Sequence, residues 1–162
     1  MKVKILFFDD IFSHLFRSEH DKNTLVWDDA WVESLETALV GKNDRLNLDF
    51  SLVKSGDIDS WQSIVEKEKP DVIIMDHYWP EHAWKKYGDR ERGGEISLET
   101  LRQIRETFPD LPVISYTIKP DRELLDSAYA SGVTFFMEKV AMAVPEVHNA
   151  LKYIIIYLLR RS

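Results

Sequence analysis

The 162-residue chain contains no cysteine, which removes disulfide frameworks, thiol nucleophiles and thiolate zinc sites together. It also lacks a basic face. Its 21 Lys and Arg stand against 28 Asp and Glu, a net charge of −7, and the cations are scattered among acids. A phosphate backbone needs a cationic surface, so no nucleic-acid partner is expected for this domain. Long apolar runs are missing as well: Tyr153–Leu159 is far short of the roughly 20 residues that span a bilayer. The N-terminal apolar run breaks at Asp9 and Asp10, and no small-residue cleavage site follows, so no signal peptide and no membrane partner are expected. There is no internal repeat or low-complexity tract. His14, His77 and His82 lack i, i+4 spacing and read as surface or loop residues rather than as a zinc site. The expectation is one cytoplasmic domain over residues 1–162.

What the chain does have is alternation. Val3–Phe8, Asp71–Asp76, Leu111–Tyr116 and Val133–Met137 are short apolar runs, the pattern of strands buried on both faces of a parallel sheet. Leu48, Phe50 and Leu52 alternate with polar residues and suit a half-buried strand nearer an edge. Between these runs lie helical stripes: Trp31, Val32, Leu35 and Leu39; Ile58, Trp61, Ile64 and Val65; Leu98, Leu101, Ile104 and Phe108 after Ser97 as N-cap; Leu124, Leu125 and Ala128 before Gly132 as C′ residue. Val147, Leu151, Ile154, Ile155 and Leu158 give the clearest stripe, with Pro145 in its first turn.

Five strands alternating with five helices predict an α/β fold, a doubly wound five-stranded parallel sheet with helices on both faces. Residues 11–30 and 81–96 read as long insertions after the first and third strands. Both leave carboxyl ends of strands, where such sheets place their sites. Trp79, Trp84 and Tyr87, in the loop after the third strand, either dock a partner or pin their own loop to the surface.

In this arrangement Asp9, Asp10 and Asp76 fall at the carboxyl ends of adjacent strands, with Thr117 ending the next and Lys139 the last. Three carboxylates this close repel, each pair at about 4 Å by about 4 kcal/mol at an effective dielectric near 20. A hard divalent cation compensates such a cluster, and an oxygen-only ligand set suits Mg²⁺.

These residues resemble the response-regulator receiver family over nearly the whole chain. The matching features are Phe8-Asp9-Asp10, Ile74-Met-Asp76, Pro80 four residues later, Pro112-Val-Ile-Ser-Tyr-Thr117 and Phe136-Met-Glu-Lys139. The resemblance implies a flavodoxin-like receiver fold and a phosphoacceptor signalling domain rather than an enzyme in the ordinary sense. Asp76 would take a phosphoryl group from a phosphohistidine, its carboxylate being ionised at neutral pH without help. Asp9, Asp10, Asp76 and the backbone carbonyl of Tyr78 would hold Mg²⁺, Asp9 through a metal-bound water. Lys139 would neutralise phosphoryl charge, and Thr117 would bind a phosphoryl oxygen after transfer. Phe136 would be the switch aromatic that turns inward once Thr117 has moved. Tyr78 and Lys119 occupy positions that tune phosphate lifetime, and their bulk is expected to prolong the phosphorylated state. The sequence departs from the family at Val140, where a proline is usual, and at Ile118, where a small residue is usual.

The implied partners are a sensor histidine kinase or phosphotransfer protein and a downstream effector in a phosphorelay. The last helix carries a second apolar line, Tyr153, Ile156 and Tyr157, suited to a homodimer or effector contact. The alternative is a pseudo-receiver, an interaction module of this fold that is not phosphorylated. A haloacid-dehalogenase-type phosphohydrolase would need two aspartates separated by one residue on the first strand. The residues two after Asp9 and Asp10 are Ile11 and Phe12, so that pattern fails. No effector domain follows the last helix, which fits either a stand-alone receiver or a fragment.

Overall fold

In the computed structural model, which describes residues 1–140 and 145–161, six strands form one sheet. They are β1 (Lys2–Phe8), β2 (Gly41–Asn43), β3 (Leu48–Ser55), β4 (Val72–Asp76), β5 (Val113–Thr117) and β6 (Phe135–Glu138), in the order β2-β3-β1-β4-β5-β6. The five strands legible in the sequence are those that pair in parallel. The sixth, β2, is a short antiparallel addition to β3. Its Gly-Lys-Asn carries no apolar period; it forms because the chain turns back through Asp44–Asn47, with Asn47 at φ 52°, onto the open edge of β3.

Successive side chains of the central strands go to opposite faces, and both faces are covered. Val3, Ile5, Phe7, Val72, Ile74, Ile114 and Tyr116 form one core with α2 (Lys22–Leu39) and α7 (Pro145–Arg161). Leu6, Phe8, Ile73, Met75 and Val113 form the other with α3 (Trp61–Glu68), α4 (Pro80–Tyr87), α5 (Gly93–Thr107) and α6 (Arg122–Ala130). Tyr153 and Tyr157 of α7 stay exposed, while Leu151, Ile155 and Leu158 are buried. Among the described residues no helix is long and apolar enough to cross a membrane.

The two stretches read as long connections are mostly helix. Residues 11–30 hold most of a 3₁₀ turn (Asp10–Phe12), α1 (His14–Glu19) and the first half of α2. Ser13 and Asp21 cap the two helices, accepting from the N–H groups of Leu15 and Thr24. Residues 81–96 hold most of α4, a 3₁₀ turn and the start of α5. Ser97 is therefore not an N-cap: α5 begins four residues earlier, and Ser97 lies buried inside it, donating to the His77 carbonyl at 2.7 Å. Gly132 is the C′ residue of α6, at φ 100°. Pro145 opens α7 as expected.

Candidate functional site

Register alone gathers the site. Phe8 pairs with Met75, so Asp9 and Asp76 leave adjacent strands side by side. Asp76 pairs with Tyr116, and Thr117 pairs with Glu138, which puts Lys139 one step beyond. β1 lies between β3 and β4, where the strand order reverses, the place at which open α/β sheets bind their ligands.

Asp9, Asp10 and Asp76 are all buried, and one carboxylate oxygen from each lies within 4.8 Å of the others. Asp9 is fixed at three points. Its N–H donates to the Ser55 carbonyl at 3.1 Å, its Oδ1 accepts from the Ile11 N–H at 3.1 Å, and its Oδ2 accepts from Lys139 Nζ at 2.6 Å. The same ammonium stands 3.3 Å from Asp76 Oδ1, so one buried cation bridges two of the three carboxylates.

Electrostatics follow from that imbalance. Burial, then the charges of Asp76 and Asp9, push Asp10 up to about 10. Burial, then Asp9, push Asp76 up to about 7, with Lys139 pulling the other way. Against the expectation that Asp76 is ionised at neutral pH without help, burial and Asp9 raise its cost of ionisation above that of an ordinary carboxylate. Burial disfavours the Lys139 ammonium, but Asp9 and Asp76 more than reverse this and hold its pKa above the ordinary range. One cation cannot balance three carboxylates, so the donor set fits a further hard cation: closely spaced anionic oxygens, no sulfur and no nitrogen.

A cavity of about 470 Å³ opens over the cluster. Asp10, Asp76 and Lys139 form its floor, and Tyr78, Ile118, Lys119, Phe16, Asp28, Trp31, Arg90 and Glu91 are among the residues that line it. Thr117 is fully buried at the end of β5, where its Oγ1 accepts the Lys119 N–H at 3.3 Å and its carbonyl accepts the Lys139 N–H at 2.6 Å. Phe136 is half-buried against the second core, its N–H donating to the Tyr129 hydroxyl. Phe16, Asp28 and Arg90 were not singled out for the site from sequence because they come from the stretches read as connections, and Trp31 because it read as part of a helix's apolar stripe.

Two surface assignments are corrected. His77 and His82 are buried, His77 with its ring against Ser97 and pushed down to about 4 by burial. His14 is exposed as expected, and none of the three joins the carboxylate cluster. Trp79 does not sit on a loop surface: it is fully buried, and its Nε1–H donates to the Asp76 carbonyl at 2.8 Å. Trp84 is exposed with Arg90 over its ring, and Tyr87 is half-buried with Arg92 stacked on it. Trp79→Phe leaves a buried carbonyl without its donor and opens a small void, an expected loss of about 3 kcal/mol. Trp84→Phe should stay within about 0.5 kcal/mol. Urea denaturation of both variants checks the contrast, and equal losses would contradict it.

No family model matches the chain, and no curated protein matches it in sequence. Solved structures match it over its whole length. A response regulator from Thermotoga maritima is 16% identical over 99% of both chains, with a TM-score of 0.60. The phosphorylated cyanobacterial phytochrome response regulator RcpA is 16% identical over 100% of this chain and 97% of its own, with a TM-score of 0.62. A CheY-like receiver domain protein from Methanospirillum hungatei JF-1 is 13% identical over 100% of both, with a TM-score of 0.59. From end to end, the chain has the fold of CheY-like response-regulator receiver domains.

Proposed function

We propose that this chain is a working receiver, a cytoplasmic phosphoacceptor switch rather than an enzyme with a separate product. The observation that carries the proposal is the buried Lys139 ammonium bridging Asp9 and Asp76 beside a third carboxylate, Asp10, under an open cavity. A purely structural ion pair has no use for the extra acids, which raise one another's cost of ionisation.

Asp76 is the acceptor: a bond forms between its carboxylate oxygen and phosphorus as the bond from phosphorus to the donor's imidazole nitrogen breaks. The donor is a histidine kinase or phosphotransfer protein. Asp9, Asp10 and Asp76, with the Tyr78 carbonyl, are the residues that would hold Mg²⁺. When bound, Mg²⁺ supplies positive charge to the carboxylates and the phosphoryl oxygens. Lys139 leaves its bridge to meet the transferred group, and Thr117 offers its hydroxyl to a phosphoryl oxygen. Phe136, half-buried, then packs deeper as the end of β5 shifts, a population change between two packings. Tyr78 and Lys119 line the approach of water to the phosphoryl group and slow its loss. Exposed Tyr153 and Tyr157 on α7 are the surface offered to an effector or a second copy.

Intact-mass measurement after incubation with Mg²⁺ and acetyl phosphate tests this. The wild type should gain one phosphoryl group, a gain abolished when a chelator is present during the incubation and absent in Asp76→Asn. The adduct should persist for minutes, and Tyr78→Ala or Lys119→Ala should shorten it about threefold or more. No adduct on folded protein would instead favour an unphosphorylated interaction module.

A further inference from the structure

Lys139 carries its charge on a flexible four-carbon stem, yet its ammonium must sit at one point to serve two carboxylates 2.6 and 3.3 Å away. On its N-terminal side the backbone is pinned by the hydrogen bond to the Thr117 carbonyl. On its C-terminal side the pin comes from α2, more than a hundred residues earlier in the chain. The indole Nε1–H of Trp31 donates to the carbonyl of Val140 at 2.8 Å. The same indole ring lies 5.1 Å from Lys139 Nζ, and the Tyr116 ring lies 5.9 Å from it on the sheet side. Trp31 is itself held: it is 3% exposed and packs at 6.1 Å against both Phe7 and Tyr116.

We propose that Trp31 is the positioning residue for Lys139, fixing the backbone just after it through Val140 and presenting a ring face to its ammonium. The proposal rests on the receiver function above but concerns how α2 reaches the site. A core tryptophan needs only the apolar contacts. The directed N–H bond to the residue after Lys139, combined with a ring beside the cation, serves the lysine's placement.

The test compares Trp31→Phe, which keeps a ring and loses the N–H, with Trp31→Leu, which loses both. Phosphorylation by acetyl phosphate is measured in the wild-type and Lys139→Met backgrounds. Trp31→Leu should slow transfer about tenfold and Trp31→Phe about threefold, with Mg²⁺ affinity by calorimetry unchanged within about twofold. In the Lys139→Met background Trp31→Leu should slow transfer no further, because the group it positions is gone. Equal slowing in both backgrounds would overturn the proposal. A second readout needs no phosphorylation. The Lys139 ammonium, held buried against Asp9, should give a resolved nitrogen-15 signal that shifts and broadens in Trp31→Leu. An unchanged signal would also overturn the proposal. If the wild type accepts no phosphoryl group, the functional proposal fails by itself, and the ammonium signal still decides whether Trp31 places the lysine.

Discussion

Replacing Asp10 by Asn is expected to stabilise the metal-free protein at pH 8 by about 2 kcal/mol, or about 6 °C in melting temperature, and to abolish stabilisation by Mg²⁺. The gain arises because the folded chain holds Asp10 where ionisation is penalised by burial and by Asp76 and Asp9, which push it up to about 10. In the unfolded chain the same carboxyl titrates at its ordinary value near 3.8. Between those values the native state binds more protons than the unfolded state, so this group's contribution is present at low pH and is lost as pH rises. Asp76, pushed up to about 7, adds to the loss over the lower part of the same window. Asn mimics the protonated carboxyl, carries no charge in either state and removes the penalty.

The metal-free difference between wild type and Asp10→Asn should therefore be small near pH 4 and grow towards pH 8. His77, His82 and His148 act in the opposite direction. Burial lowers their pKa values in the fold, so the stability they contribute is full above about 6.5 and lost on acidification. They are common to both proteins and cancel in the difference. Excess Mg²⁺ should raise the wild-type melting temperature more at pH 8 than at pH 5, since binding needs the ionised carboxylates. Thermal melts with and without Mg²⁺ at pH 5 and pH 8 decide this. An equal response to Mg²⁺ in wild type and Asp10→Asn would remove Asp10 from the metal site.

Asp10 was found because a polar residue at the end of an apolar run stands out. The residues around it were missed for a related reason. The stripe of α2 runs Leu25, Asp28, Trp31, Val32, Leu35 and Leu39, and Asp28 breaks the period just where that helix faces the cavity. A helix that lends a polar side chain to a site looks, in sequence, like the end of a helix. The same holds for α4, where buried His82 interrupts the line from Trp79 to Ala83. Strands β1, β4 and β5 were legible because they are largely buried on both faces and mostly apolar, β3 because its apolar residues alternate with polar ones, and β6 because it lies in a short apolar run. Strand β2 was not, since its three residues owe their conformation to the edge of β3 rather than to their own side chains. The spacing of Asp9, Asp76, Thr117 and Lys139 was legible because parallel register carries the same rim position from strand to strand. What register cannot convey is burial, and burial takes Asp76 away from an ordinary carboxylate.

Gly56→Ala is expected to destabilise the protein by about 3 kcal/mol or more and to weaken Mg²⁺ binding at least about tenfold, although residue 56 is not itself a proposed ligand of the metal. Gly56 follows β3 directly, and there the chain passes against the backbone of the turn that carries Asp10. A Cβ at this position would lie 2.1 Å from Ser13 N, 2.3 Å from the Phe12 carbonyl carbon and 2.4 Å from Ser13 Cα. No rotamer change relieves a contact with main chain, so one of the two segments must move. The turn is poorly placed to yield: Ser13 N–H closes it onto the Asp10 carbonyl at 2.8 Å, and Asp9 N–H ties its start to the Ser55 carbonyl, next to Gly56. Pushing it outward breaks one of those bonds and carries Asp10 away from Asp9 and Asp76, whose oxygens must lie close together to share a cation. Urea denaturation at pH 5, where the cost of ionising Asp10 and Asp76 in the fold is small, measures the steric cost, and Mg²⁺ titration at pH 8 measures the displacement. Lost stability with intact Mg²⁺ affinity would mean that β3, rather than the turn, gives way, leaving the metal site independent of this contact.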